Sequence, residues 1–234
     1  MDRVINTNKI SRQYFLIVSF SFVLFVLGNV SKSHGSTSLE LYGGYQTAPH
    51  SIVNGNYSVS GNLDPFKFTA GWAGKSFKMP PYYGIRFTNW REDKGWGLEF
   101  THSKVYADED TLEKMGFERL EFTDGLNNLI VHRQHRLSDL TNKFRPYFGY
   151  GIGFIIPHVE FQRSMSSPLT FEYQLGGPSV AFNGGVKYPL SDRRFLFSEY
   201  RFTGSWLNVD LEDDGKLKTR ILTNALNIGF GFNF

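Results

Sequence analysis

Toward its C-terminus the chain alternates: Leu222, Asn224, Leu226, Ile228, Phe230, Phe232 and Phe234 take turns with Thr223, Ala225, Asn227, Gly229, Gly231 and Asn233. A period of two sends neighbouring side chains to opposite faces of a strand, so one face is greasy and the other small and polar. A soluble sandwich would have to cover that aromatic face with a second sheet. In a membrane barrel lipid covers it directly. The pattern recurs over 147–156, where Phe148, Tyr150, Ile152, Phe154 and Ile156 face one way and Tyr147, Gly149, Gly151 and Gly153 the other. Glycine on the inner face suits a narrow, crowded lumen.

Alternation and turn signals together predict eight strands, at 38–50, 80–92, 95–107, 124–137, 145–161, 171–189, 194–211 and 216–234. An even number of strands closes a barrel, and the connections alternate in length as an outer-membrane barrel requires. Short ones fall at 92–94, 138–144 and 189–193, and longer ones at 51–79, 107–123 and 162–170. The last outer connection, near 212–215, is a short hairpin. The expected fold is therefore all-β: an eight-stranded antiparallel up-and-down transmembrane β-barrel.

The N-terminus breaks this pattern. Arg3, Lys9 and Arg12 precede an apolar run from Tyr14 to Leu27, then Gly28 and a small polar stretch ending at Ser36. The run is shorter than the roughly 20 residues of a spanning helix, and the arrangement reads as a secretory signal peptide over 1–35, with the barrel domain over 36–234. Cleavage changes the charge picture. The whole chain carries 25 Lys and Arg against 22 Asp and Glu; the leader holds four of the bases and one of the acids, leaving 21 of each. A balanced, exported chain has no electrostatic case for nucleic acid. With no cysteine, disulfides, thiolate metal sites and Cys nucleophiles are also excluded.

The inward phase supplies Arg86, Glu99, His132, Gln134, Lys187, Glu199, Arg201 and Asn227. Both signs occur, so a salt-bridged plug is expected and a solute channel is not, because eight strands leave room only for their own side chains. Chemistry is expected instead at the extracellular rim. There the strand map gathers His50, His102 and His158, with Lys75, Lys104, Asp108, Glu118, Arg119, Glu121, Asp124, Glu160 and Gln174 in the same layer. Imidazoles beside carboxylates can bind a divalent metal or move protons. Equally, His and Tyr anchor barrels at the headgroup boundary, and loop charges are ordinarily solvated. His102 and Ser103 are adjacent on a strand and face opposite sides, so they cannot form a hydrolytic pair. Lys75, in Ala70-Gly71-Trp72-Ala73-Gly74-Lys75-Ser76, lacks the spacing of a phosphate loop. No flavin, haem or nicotinamide motif is present.

Several segments resemble the outer-membrane lipid A oxidase family: Tyr42-Gly-Gly-Tyr-Gln-Thr-Ala-Pro-His50-Ser51, Phe68-Thr-Ala-Gly-Trp-Ala-Gly-Lys75-Ser-Phe77, Pro80-Pro-Tyr-Tyr-Gly-Ile-Arg86, Leu98-Glu-Phe-Thr-His102-Ser-Lys104-Val-Tyr-Ala-Asp108 and Phe122-Thr-Asp124-Gly-Leu-Asn127. The resemblance extends to Pro157-His158-Val159, Tyr173-Gln174-Leu175-Gly-Gly-Pro178 and Thr223-Asn-Ala-Leu-Asn227. It implies residence in the Gram-negative outer membrane, with long loops outside, and lipopolysaccharide as partner. The implied reaction is oxidation of the proximal glucosamine of 1-dephosphorylated lipid A to 2-aminogluconate, with molecular oxygen as oxidant. On that reading His50, His102 and His158 would hold a divalent metal, with Asp108 or Glu160 assisting, and Glu121 would take the anomeric proton. Lys75, Lys104, Arg119 and Gln174 would hold the acidic head group. The terminal Phe234 would be read by the barrel-assembly machinery. The competing class is a non-catalytic small barrel with a structural, adhesive or ligand-binding role. A third, passage of small apolar molecules through the wall, would need a hydrophobic lumen near the rim.

Overall fold

The computed structural model describes residues 36–234 apart from 60, 139 and 142; the expected signal peptide lies outside the described residues. The chain forms β1 (Ser36–Val59), β2 (Asn62–Ala73), β3 (Tyr83–Arg91), β4 (Lys94–Ala107), α1 (Glu109–Met115), β5 (Arg119–Arg136), β6 (Arg145–Gln162), β7 (Thr170–Tyr173), β8 (Gly177–Pro189), β9 (Arg194–Asp210) and β10 (Lys216–Asn233). All pairings are antiparallel, and β10 returns to β1 from Ser38↔Asn233 up to Asn56↔Lys216, which closes the ring. Among the described residues the ring runs β1–β3–β4–β5–β6–β8–β9–β10, the expected eight strands.

Two columns of the ring are filled by two strands end to end. Between β1 and β4, β3 pairs with β1 over Ser36–Gly43 in the lower part. Above it β2 takes the same column, pairing with β1 from Ala48 to Val59 and with β4 at Trp72↔Ala107. Between β6 and β9, β8 lies below, and β7 pairs with β6 above it, from His158↔Tyr173 to Phe161↔Thr170. The connection 51–79 is thus not the outer loop expected from its polar residues: β1 runs through it and turns back as β2. Its alternation is present, with Val53, Phe66, Ala70 and Trp72 buried, but its outward positions, Ile52 and Leu63 apart, are polar because they stand above the lipid. The strand expected at 171–189 breaks after Tyr173 and resumes at Gly177, where φ is 139°, a conformation open to glycine. The connection 107–123 contains α1, capped by Asp108 at its start and by left-handed Gly116 at its end.

The interior has two layers. In the lower layer Arg86 donates to Glu40 (2.8 Å), Glu99 (2.9 Å) and Glu199 (2.7 Å), Arg201 donates to Glu99 (2.6 Å), and Lys187 pairs with Glu40. Tyr42 and Tyr147 donate to Glu99 and Glu199, and Asn183 and Asn227 also donate to Glu199. All the side chains assigned inward from the sequence are buried. Charges so placed need partners on every side, since taking an ion out of water costs several kcal/mol. The upper layer is apolar: Val53, Phe66, Trp72, Val105, Leu120, Phe122, Ile155, Phe161 and Leu217 belong to one packed cluster. A hydrophobic lumen near the rim therefore exists, but it is filled with side chains.

The outer face carries the lipid boundary. Tyr45, Trp96, Val131, Tyr150, Ile152, Phe182, Leu226 and Ile228 are exposed around the ring, the apolar band of an outer-membrane barrel. This face and the closed ring are those of a small transmembrane β-barrel.

Candidate functional site on the outer wall

Rows of outward side chains across β3, β4, β5 and β6 change character as they climb. Ile85, Phe100, Leu129 and Phe154 form one register row, entirely apolar. The next outward row is Tyr83, His102, Asn127 and Ile156. Higher still, Tyr106, Glu121, Glu160 and Phe171 align across β4, β5, β6 and β7. Hydrocarbon thus gives way to ionisable groups within a few residues, at the level of the lipid headgroups.

His102 is buried on this wall, stacked on Tyr83 with ring centroids 5.2 Å apart. Its Nδ1 lies 2.9 Å from Asn127 Oδ1. That oxygen only accepts, so Nδ1 carries the proton and Nε2 keeps a lone pair; Nε2 has no hydrogen-bond partner. The geometry depends on a bulge in β5. Gly125, with φ of 122°, shifts the register between Ser103 and Val105 and lies against His102, where a Cβ would sit 2.6 Å from Nδ1.

Above it, Glu160 accepts from Arg119 Nη1 at 2.7 Å and from the Thr123 hydroxyl, and lies 3.2 Å from His158 Nδ1. Arg119 Nε stands 3.6 Å from Glu121, so one guanidinium bridges the two paired carboxylates. His158 meets Phe171 and Tyr173 edge-on, at 4.4 and 4.7 Å. On the other flank, Lys104 Nζ donates to the Lys78 carbonyl at 2.7 Å. The ammonium groups of Lys75 and Lys78 sit over the Tyr106 ring, at 4.5 and 4.8 Å.

The expected residues are only partly gathered. His102, Lys104, Lys75, Arg119, Glu121, Glu160 and His158 share this wall. His50 does not: it lies exposed on β1, four strands around the ring from β6. His102 and His158 are two strands apart, roughly 10 Å at the strand spacing. The three histidines therefore do not fit one ion, and no group of three or more His, Asp or Glu among the described residues is arranged to hold one. Asp108 is a helix cap. Its carboxylate accepts from Thr111 N at 2.9 Å, and these hydrogen bonds hold it below the ordinary Asp range. Gln174 is a strap: its amide donates to the Asp210 carbonyl and accepts from the Asp210 amide, both at 2.8 Å. Ser103 points inward and donates to the Leu126 carbonyl, as strand parity requires.

Sequence reasoning missed Asn127, Tyr83, Lys78, Tyr106 and Thr123 as members of the wall. Strand parity could have found Tyr106 beside Lys104. Asn127 lies outward by the same parity that turns His132 and Gln134 inward, but that it stands opposite His102 is a matter of β4–β5 register.

No protein-family model and no curated protein matches the chain. Solved structures resemble it in fold. Neisserial surface protein A is 13% identical, with 86% of this chain and 98% of that chain covered and a TM-score of 0.46. The outer membrane protein AlkL, determined in lipid bilayers, is 14% identical, with 88% and 93% covered and a TM-score of 0.49. The N-terminal β-barrel domain of Pseudomonas aeruginosa OprF is 14% identical, with 86% and 100% covered and a TM-score of 0.40.

Proposed function

We propose that this barrel acts on lipid A of the outer leaflet from its outer wall, and that the reaction is the oxygen-dependent oxidation of the proximal glucosamine implied by the sequence resemblance. The observation that carries the reading is His102: a buried imidazole at the headgroup level whose tautomer is set by Asn127 and whose Nε2 has no hydrogen-bond partner. His132 Nδ1 and His135 Nε2 are also buried without partners; what sets His102 apart is its place on the outer wall, where proton transfer from a sugar hydroxyl would use such a group. Nε2 of His102 would take the anomeric hydroxyl proton. The C1 hydrogen and two electrons would pass to dioxygen, and the hydroperoxide so formed would take the proton from His102, giving hydrogen peroxide and a lactone that water opens to the aldonic acid. Lys75, Lys78 and Lys104 would hold the anionic head group, and Arg119 would keep Glu121 and Glu160 in place beside it.

Expression in a Gram-negative host whose lipid A lacks the 1-phosphate, followed by mass spectrometry of extracted lipid A, tests this reading. One added oxygen on the proximal sugar is expected in air and not under anaerobic growth. His102→Ala should reduce the oxidised fraction by roughly 10²-fold or more, the scale of general-base catalysis. Unmodified lipid A from a folded wild-type barrel would overturn the reaction.

A second reading, a non-catalytic lipid-binding barrel, is favoured by Glu160, whose oxygens are committed to Arg119 and Thr123. It predicts lipid A retained by the purified barrel and never oxidised.

A further inference from the structure

The change of strand in the column between β1 and β4 leaves a gap in the wall. Pairing of β1 with β3 ends at Gly43↔Tyr83 and pairing with β2 begins at Ala48↔Trp72. Residues 74–82 cross between the two strands, and a cleft of about 430 Å³ opens there to the outside. Tyr45 and Phe77 form its lips, with rings 6.3 Å apart and both largely exposed. Thr47 and Ala73 line the wall, and Gln46 and Ser76 close the floor, joined by a 2.8 Å hydrogen bond from Gln46 N to Ser76 Oγ. Lys75 and Lys78, which also line the cleft, reach from it over the ring of Tyr106, the register partner of Glu121.

The geometry points to an acyl chain of lipid A as the occupant of this cleft. The inference rests on the lipid A reading and assigns it a chain-binding subsite. Three features select the ligand. The cleft opens sideways at the headgroup boundary, just above the apolar band and beside Tyr45 and its β10 partner Leu226, both exposed, so the head-proximal part of a membrane lipid's chain can enter it. Two ammonium groups stand at one flank, which suits a chain tethered to an anionic head. Finally, Gln46 Oε1 in the floor is buried and has no hydrogen-bond partner. A purely aliphatic chain would leave that acceptor unsatisfied, at a cost; the amide N–H or hydroxyl of a hydroxyacyl amide would satisfy it, and an ester-linked glycerophospholipid chain has neither. The volume lies in the range of ordinary ligand sites.

The chain has no native cysteine, and Thr47 is exposed, so bulk can be added there without entering the core. Full-length barrel would be reconstituted in phosphatidylethanolamine vesicles containing 1-dephosphorylated lipid A or, separately, phosphatidylglycerol. It would then be repurified, and retained lipid counted by mass spectrometry. Heat-modified gel mobility reports folding. Wild type should retain lipid A in preference to phosphatidylglycerol, and Thr47→Trp should retain about tenfold less, a loss of about 1.4 kcal/mol. Phe77→Ala, which removes a lip from an exposed position, should also weaken retention. Folded Thr47→Trp and Phe77→Ala barrels that retain lipid A as wild type does would overturn the inference, as would equal retention of phosphatidylglycerol. The two readings fail separately. Oxidation of lipid A unaffected by Thr47→Trp sinks the cleft alone, and cleft-dependent retention without oxidation sinks the reaction alone.

Discussion

Arg86 touches three carboxylates, and its side chain is wholly buried. Removing it would leave Glu40, Glu99 and Glu199 facing one another with one fewer cation, so Arg86→Met should destabilise the folded barrel by about 3–5 kcal/mol. The measurement is the urea midpoint of gel-resolved folding in detergent micelles; an unchanged midpoint would show the network to be dispensable. Asp108 tests a smaller effect. Its folded pKa lies below the unfolded value, so its stabilisation is present above the unfolded value of about 3.9 and fades as pH falls through the folded one. Asp108→Ala should cost the short helix about 1 kcal/mol, seen as faster amide exchange at Thr111 at neutral pH. The difference from wild type should vanish in acid. Of these residues the inward phase predicted Arg86, Glu99 and Glu199. Asp108 looked like a candidate acid from the sequence, because capping depends on the turn that follows and not on the residue type alone.

The elements differ in how openly they are written. The terminal hairpin β9–β10 is plain in the alternation from Leu222 to Phe234, and the structure places Ala225, Asn227 and Gly229 inside and Leu226 and Ile228 outside as that alternation requires. β2 was hidden because hydrophobic contrast marks strands only where one face meets lipid or core. Above the membrane the outer face of β1 and β2 is wet, and the polar residues there resemble a loop. The break between β7 and β8 was hidden for the opposite reason. Phe171 and Tyr173 look like the start of one long strand, and only the left-handed backbone at Gly177 and the Gln174 strap to Asp210 separate the two. The candidate site inherits this division: His102, Lys104 and Glu160 follow from strand parity, but Lys75 and Lys78 reach Tyr106 only because β2 ends over β4.

Taken whole, the molecule is a barrel filled in two layers, ionic below and apolar above. The filling predicts that the purified protein carries no steady ion current in planar bilayers; sustained conductance at moderate voltage would contradict it. The sequence by itself determined the barrel, its strand number, its inward charges and its apolar outer face, because burial and lipid exposure impose a period of two that needs no distant partner to be read. Only the tertiary structure decided which polar residues meet. Ring closure sets His50 on one wall and His158 on another, the β4–β5 register sets Asn127 opposite His102, and a two-residue bulge just above that pair lays Gly125 against the imidazole. The end of β3 opens a cleft beside Lys75. Each of these depends on register between strands far apart in the chain, and register is a property of pairs that no single stretch of residues contains.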